Sequence, residues 1–255
     1  KHLFWCCDPF MRACVNMDQG GAIVDLRPYA AKLEWPVGIG TKHVTDASYP
    51  FLIQEKYRAG YFTHYAGEGT VRSAKLKHNG EEVDLCLCRT KAHFSQEGNT
   101  RILTLDPEFY DLTVKLQTIV SFEEGSSAIK IERKILEMSD PNAEVELNEY
   151  IVACYGTTEY SEDMLGITLS TKKGDEVETL DYEYKCREME KAEADEVRAV
   201  IPQIETAVSM STNAEGAVGY VKEGYAFSPM FTLGYNSKIK DKEVVATWLK
   251  LEKAN

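Results

Sequence analysis

The feature that most constrains this chain is a repeated alternation of apolar and polar residues with a period of two. It is clearest from Leu112 to Phe122, where every second position reads Leu, Val, Leu, Thr, Val, Phe and the positions between them are mostly polar. Because successive side chains of a strand point to opposite faces, this pattern predicts an antiparallel strand with one face buried and the other in water.

Turn-forming residues divide the chain into hairpins of such strands. Three turns are predicted, at Glu123–Ser127, at Asn79-Gly80 and at Lys172–Asp175. The strands that they join are Leu112–Phe122 with Ala128–Ile135, Thr70–Lys77 with Glu82–Cys88, and Leu165–Thr171 with Glu176–Tyr184. Further strands are predicted at 144–155, 200–212, 216–223, 225–235 and 243–252.

One segment departs from the strand pattern. Lys185–Val197 is rich in Glu, Ala and Lys, and it predicts either a helix or a charged loop with one or two helical turns. No Pro-rich or Gly/Ser-rich linker divides the chain, so residues 1–255 are expected to form a single domain. Long strands, about a dozen or more, favour an all-β fold, a large antiparallel β-sandwich of two broad sheets.

The charge and the cysteine content limit which partners and which cellular compartment are expected. With 41 acidic and 29 basic side chains the net charge is −12, which argues against nucleic acid and anionic membranes as partners. The chain contains no run of 18 apolar residues, so no membrane segment is expected. Seven cysteines, an odd number, and the absence of an N-x-[ST] sequence favour reduced thiols and a cytoplasmic protein, although a processed N-terminus would leave secretion open.

The sequence lacks the motifs that hold common cofactors. It has no phosphate-binding GxxxxGK[ST], no dinucleotide-binding GxGxxG after a strand, and no HExxH. The pair Cys86 and Cys88 has no second pair to complete a zinc site, so core packing is favoured. Neither a cofactor nor a metal is therefore expected.

Three residues are candidates for proton transfer. His64 lies in Gly60–Gly69, an aromatic and glycine-rich stretch suited either to a sugar ring or to a packed strand end. His93 precedes a loop, and a surface histidine is the alternative. Glu149 shares a strand face with Leu147 and Ile151, so it is either a carboxyl of raised pKa, a carboxylate paired with an arginine, or a solvated edge residue.

Two features of the sequence resemble a known family. The Gly-led apolar strand Asp18–Leu26 and the succession of long hairpins to about residue 250, including the Phe109–Met138 pair, are similar to the galactose mutarotase-like β-supersandwich proteins. The resemblance implies a sugar-directed enzyme that performs epimerisation or β-elimination by acid–base proton transfer. In that interpretation His64, His93 and Glu149 are the acid and base candidates, and the substrate is held by Arg72, Arg101 and Tyr65.

Two other classes of function stay open. The first is a non-catalytic carbohydrate-binding protein, whose aromatic side chains would stack on sugar rings. The second is a structural sandwich that forms a homo-oligomer through its edge strands. An exposed aromatic platform would favour the former, and a large apolar patch without a cleft would favour the latter.

Overall fold

The fold is taken from a computed structural model of the chain. It describes residues 2–7, 11–28, 53–54, 74–78, 80–85, 88–107, 114–138, 140–142, 145–153, 166–183, 185–202, 205–224 and 231–254.

The described residues are almost entirely β-strands. In chain order these are β1 (Leu3–Cys7), β2 (Met11–Asn16), β3 (Ala22–Pro28), β4 (Ile53–Gln54), β5 (Ala74–His78), β6 (Glu81–Asp84), β7 (Thr90–Glu97), β8 (Thr100–Pro107), β9 (Val114–Glu123), β10 (Ala128–Met138), β11 (Val145–Ala153), β12 (Thr168–Lys173), β13 (Glu176–Asp181), β14 (Ala192–Glu193), β15 (Glu196–Ile201), β16 (Thr206–Thr212), β17 (Val218–Glu223), β18 (Phe231–Ile239) and β19 (Val244–Lys253). The 3₁₀ turn Met17–Gln19 separates β2 from β3.

The strands form three sheets, in which every described strand pairing is antiparallel. A four-stranded sheet has the order β1-β2-β3-β4, a nine-stranded sheet the order β13-β12-β15-β16-β19-β10-β9-β8-β7, and a six-stranded sheet the order β14-β17-β18-β11-β5-β6. The predicted all-β sandwich fold is thus confirmed. Among the described residues, no helix is long and apolar enough to span a membrane.

The predicted hairpins are present where the structure describes them. In the β9–β10 hairpin Ile129 faces Phe122, and in the β12–β13 hairpin Lys173 faces Glu176. In the β5–β6 hairpin His78 faces Glu81, and Gly80 has a φ of 83°, a left-handed conformation that glycine adopts without strain. Residue 79 lies outside the described residues.

Other predicted boundaries were wrong. The segment Lys185–Val197 forms no α-helix: it contains β14 and the start of β15, because Val197, Ala199 and Ile201 alternate into the core and Glu223 holds the residues before β14 in place. The predicted strand 200–212 is instead the end of β15 and the whole of β16. The predicted strand 225–235 corresponds to β18, which runs further, to Ile239.

The core lies between the nine-stranded and six-stranded sheets and extends under the four-stranded sheet. A larger apolar cluster contains Val120, Ile131 and Ile151, and a smaller one contains Leu116, Ile135 and Leu147. On each of β9, β10 and β11 the inward position between the two clusters is polar. These positions hold Thr118, Arg133 and Glu149, which are 4%, 1% and 3% exposed.

Arg133 bonds to both of the other polar side chains, and its bonds to Glu149 cross the sandwich. The Arg133 guanidinium donates from Nε to Glu149 Oε2 at 2.7 Å and from Nη2 to Oε1 at 2.8 Å, while its Nη1 donates to Thr118 Oγ1 at 2.6 Å. Since Arg133 belongs to the nine-stranded sheet and Glu149 to the six-stranded sheet, the pair ties the two sheets together. Such a bidentate pair is directional, which apolar contacts are not.

Candidate functional site

The outer face of the six-stranded sheet, the face turned away from Glu149, presents polar residues in register. Glu146 lies opposite Lys238 on one side and Lys77 on the other. The next row along the strands pairs Asn148 with Asn236. Adjacent strands are about 4.8 Å apart, so each row places polar groups within reach of one small ligand.

Two tyrosines stand at the next row. Tyr150 and Tyr220 both lie opposite Gly234, one on each neighbouring strand. A Cβ at Gly234 would lie 2.6 Å from the Tyr220 ring and 2.7 Å from Tyr150 Cβ, so only glycine leaves room for both rings. The Tyr220 hydroxyl donates to Asn148 Oδ1 at 2.8 Å.

The Tyr220 hydroxyl is held in its neutral form. Burial raises the pKa of this phenol, and the hydrogen bond with Asn148 offsets only part of that effect. With Oδ1 of Asn148 occupied, the described residues leave the amide nitrogen of Asn148 as a donor for a ligand. Tyr220 therefore orients the amide and does not act as a base.

A cleft of about 460 Å³ opens over these rows. Its volume lies within the range of small-molecule sites, roughly 300–1,000 Å³. Its lining includes both asparagines, together with the charged residues Lys77, Lys238, Glu82, Glu146 and Glu215. Lys77 Nζ lies 3.6 Å from Glu146 Oε2, and both side chains are at least half exposed, so this pair stays accessible to a ligand.

A buried carboxylate fixes the border of the sheet beside β17. The Glu223 side chain is fully buried and accepts hydrogen bonds from the backbone N–H groups of Glu183, Lys185 and Arg187 and from Nε of Arg187. Burial alone would raise the pKa of Glu223, but these donors outweigh it and lower the pKa to about 2. Further along the same segment Lys191 Nζ lies 4.9 Å from the centre of the Tyr220 ring.

The structure does not bring the described catalytic candidates to one surface. Glu149 points inward and pairs with Arg133, which is the arginine-paired alternative of the sequence analysis. His93 lies on β7 at the edge of the nine-stranded sheet, 56% exposed, with Nε2 at 3.5 Å from Asp106 Oδ2. Nη1 of Arg101 donates to Cys6 Sγ at 3.8 Å. The other predicted residues, His64, Tyr65 and Arg72, lie outside the described residues.

The residues of this cleft were not among the candidates predicted from the sequence. A signal for them existed, because Glu146, Asn148 and Tyr150 alternate with the apolar face of β11 and therefore had to share its outer face. The partner Asn236 follows the same rule on β18. What the sequence did not contain was the pairing of β11 with β18, whose first residues, Val145 and Phe231, are 86 positions apart.

Replacing Gly234 tests whether the packing of Tyr150 and Tyr220 requires a residue without a side chain at this position. In the Gly234→Ala variant we expect a loss of about 1–3 kcal/mol in the free energy of unfolding, because a methyl group must displace the Tyr220 ring. Urea unfolding measures the loss, and the matched control is Gly216→Ala, where a Cβ would contact nothing within 4 Å. Because Gly216 has a φ of 66°, this control carries backbone strain alone. Equal losses in the two variants would contradict the steric explanation.

Comparison with known proteins gives a clear result for the fold. No family model and no curated protein sequence matches this chain. Among solved structures, a galactose mutarotase-like protein from Clostridium acetobutylicum is 9% identical and has a TM-score of 0.57, covering 98% of this chain and 94% of its own. A putative aldose 1-epimerase from Escherichia coli K12 is 11% identical with a TM-score of 0.53, covering 99% of each chain.

A third structure is similar over its whole length. A galactose mutarotase related enzyme from Lactobacillus acidophilus is 6% identical, with a TM-score of 0.61, and the match covers 100% of this chain and 98% of that one. At such low identities the likeness concerns the path of the backbone and not the residues of any site.

Proposed function

The chain has the galactose mutarotase-like fold, as the sequence predicted, and from this premise we propose that it binds a carbohydrate in the cleft on the outer face of the six-stranded sheet. The observation that carries the proposal is the row Asn148–Asn236, two facing amides beside the row of Lys77, Glu146 and Lys238.

Amides suit sugar hydroxyls because each group can both donate and accept. A hydroxyl carries one donor and two acceptor lone pairs, and a primary amide carries two donors and an acceptor oxygen. Asn148 is already oriented by Tyr220, so less rotational freedom is lost when a ligand binds. The exposed Lys77–Glu146 pair adds a charged donor and a charged acceptor for further hydroxyls.

The charge of the cleft favours a neutral ligand. Two lysines and three glutamates line it, so neither sign dominates strongly. A neutral sugar meets no large repulsion there, whereas an anionic one would approach three carboxylates. We therefore infer a neutral mono- or disaccharide as the ligand class.

Acid–base chemistry on the bound sugar, of an epimerase-like or lyase-like kind, is the second candidate function. It is favoured by the presence of a carboxylate and an ammonium, Glu146 and Lys77, side by side at the mouth of the cleft. The roles predicted for His64, Arg72 and Tyr65 belong to this candidate and stay predictions. Monitoring the anomers of a binding sugar by NMR with the wild-type chain and with His64→Ala tests it.

Removing one amide from the cleft tests the binding proposal. We expect Asn236→Ala to weaken binding of the best neutral sugar about tenfold, because a hydrogen-bonding side chain is lost from a formed site. Isothermal titration calorimetry against a panel of neutral monosaccharides and disaccharides measures Kd. The matched control is Thr232→Ala, which lies on the same strand and the same face, two rows away from Asn236.

The Thr232→Ala control shows how large a change in Kd must be to count as a loss of binding. Thr232→Ala should leave Kd unchanged within twofold, while both variants keep the wild-type unfolding curve. Absence of binding by the wild-type chain to every sugar of the panel at 10 mM, or equal Kd values for wild type and Asn236→Ala, would contradict the proposal.

A further inference from the structure

A second cleft lies where the connection between β2 and β3 meets the start of β7. Its volume is about 780 Å³, and the 3₁₀ turn Met17–Gln19 and the segment Arg89–Ala92 form its two walls. It shares no lining residue with the cleft on the six-stranded sheet.

The two walls are bonded to each other, so the cleft is formed before any ligand arrives. Thr90 Oγ1 donates to the Met17 carbonyl at 2.6 Å, and the Gly20 N–H donates to the Cys88 carbonyl at 3.0 Å. Gly20 has a φ of 62°, and a Cβ there would lie 1.9 Å from the Leu85 carbonyl oxygen. Only glycine permits this close approach of the two backbones.

The charge of this cleft is positive in a chain whose net charge is −12. Arg89 and Lys91 both line it and are exposed, and neither makes an ion pair in the part of the chain that the structure describes. The carboxylate of the cleft, Asp18, is engaged by His2: its Oδ2 accepts from the backbone N–H at 2.9 Å and its Oδ1 lies 3.0 Å from Nδ1. These hydrogen bonds lower the pKa of Asp18.

Gln19 lines the cleft and carries an acceptor that the described residues leave unpaired. Gln19 Oε1 is buried and has no hydrogen-bond partner among the described residues. Buried polar atoms are nearly always paired, so an unpaired acceptor on a residue that lines the same cleft as Arg89 and Lys91 needs an explanation. A ligand that donates a hydroxyl proton while presenting a negative group would satisfy all three side chains.

We propose that this second cleft binds a hydroxylated carboxylate, of the size of a sugar acid. Arg89 holds the carboxylate by its planar pair of N–H groups, Lys91 adds a second positive charge, and a ligand hydroxyl donates to Gln19 Oε1. The inference goes beyond the proposed binding of a neutral sugar and does not depend on it, because the two clefts have separate linings.

Titration with D-glucuronate tests the assignment. At 20 mM NaCl we expect the Arg89→Gln/Lys91→Gln variant to bind D-glucuronate at least tenfold more weakly than wild type. A variant with the same charge change elsewhere, Lys172→Gln/Lys240→Gln, should bind it as wild type does. Gln19→Leu should weaken binding of D-glucuronate but not of acetate, which carries no hydroxyl group.

Two further titrations test whether the ligand occupies this cleft or the first one, and whether the recognised group is a carboxylate. Asn236→Ala should leave D-glucuronate binding unchanged, and loss of binding in that variant would place the ligand in the first cleft and overturn the proposal. Equal Kd values for wild type and Arg89→Gln/Lys91→Gln would overturn it as well. Tighter binding of D-glucose 6-phosphate than of D-glucuronate, lost in the same double variant, would show that a phosphate and not a carboxylate is the group recognised.

Discussion

Replacing Arg133 by methionine is expected to lower the free energy of unfolding by about 3–5 kcal/mol at pH 7. The variant leaves Glu149, which is 3% exposed, without the guanidinium that contacts both of its oxygens. A buried carboxylate that loses its partner keeps its desolvation cost with no compensating attraction, so the expected loss is large. Urea unfolding, followed by tryptophan fluorescence, measures it.

Two controls show whether the loss comes from the unpaired charge. Arg133→Met/Glu149→Leu, which removes both charges, should recover at least half of the loss, because apolar groups of similar volume replace a buried pair at little cost. Arg198→Met removes an arginine about one third exposed, whose Nη1 lies 3.6 Å from Glu252, and should cost less than about 1 kcal/mol. A loss below 1 kcal/mol for Arg133→Met would show that the pair does not hold the sheets together.

Replacing Glu223 by glutamine is expected to cost about 2–3 kcal/mol at pH 7 and to change how stability depends on acid. The glutamine keeps the size of the side chain but has one acceptor oxygen and no charge for the donors of residues 183–187. The segment that carries Lys191 over the Tyr220 ring would be released at one end.

The direction of the acid effect follows from the lowered pKa. Glu223 has a pKa of about 2 in the fold and 4.5 as a free side chain, so its carboxylate stabilises the fold fully above pH 4.5. That contribution, up to about 3 kcal/mol, is lost as the pH falls from 4.5 toward 2. The difference in the free energy of unfolding between wild type and Glu223→Gln should therefore decrease as the pH falls. Unfolding curves of both proteins at pH 7, 5, 4 and 3 measure this decrease.

Glu252 supplies the matched control for this experiment. Its pKa is also lowered, by a hydrogen bond from Lys250, but its side chain is about one third exposed. Glu252→Gln should cost less than about 1 kcal/mol, since solvent screens an exposed pair. Parallel pH profiles for wild type and Glu223→Gln, or a larger effect from Glu252→Gln, would contradict the assigned role of Glu223.

Local pattern was enough to predict most strands, and its failures have a common cause. The β9–β10 and β12–β13 hairpins were predicted correctly, because alternation and turn residues act between neighbours in sequence. For Lys185–Val197 the helical alternative was wrong, because the composition favours a helix while the distant residue Glu223 binds the backbone of this segment, which is mostly irregular up to β15. Tertiary contacts overrode local propensity there.

The candidate sites show even more clearly which features follow from the local sequence and which depend on tertiary contacts. Alternation on β11 places Glu149 inward and Asn148 outward, so the sequence determined on which face each residue lies. Only the tertiary structure decided that Glu149 meets Arg133 and that Asn148 meets Asn236, because these partners come from strands whose pairing and packing depend on contacts across the whole chain. The sequence by itself determined an antiparallel sandwich, and the tertiary structure decided its sites, because periodicity is a local property and a binding cleft requires side chains from distant strands to lie side by side.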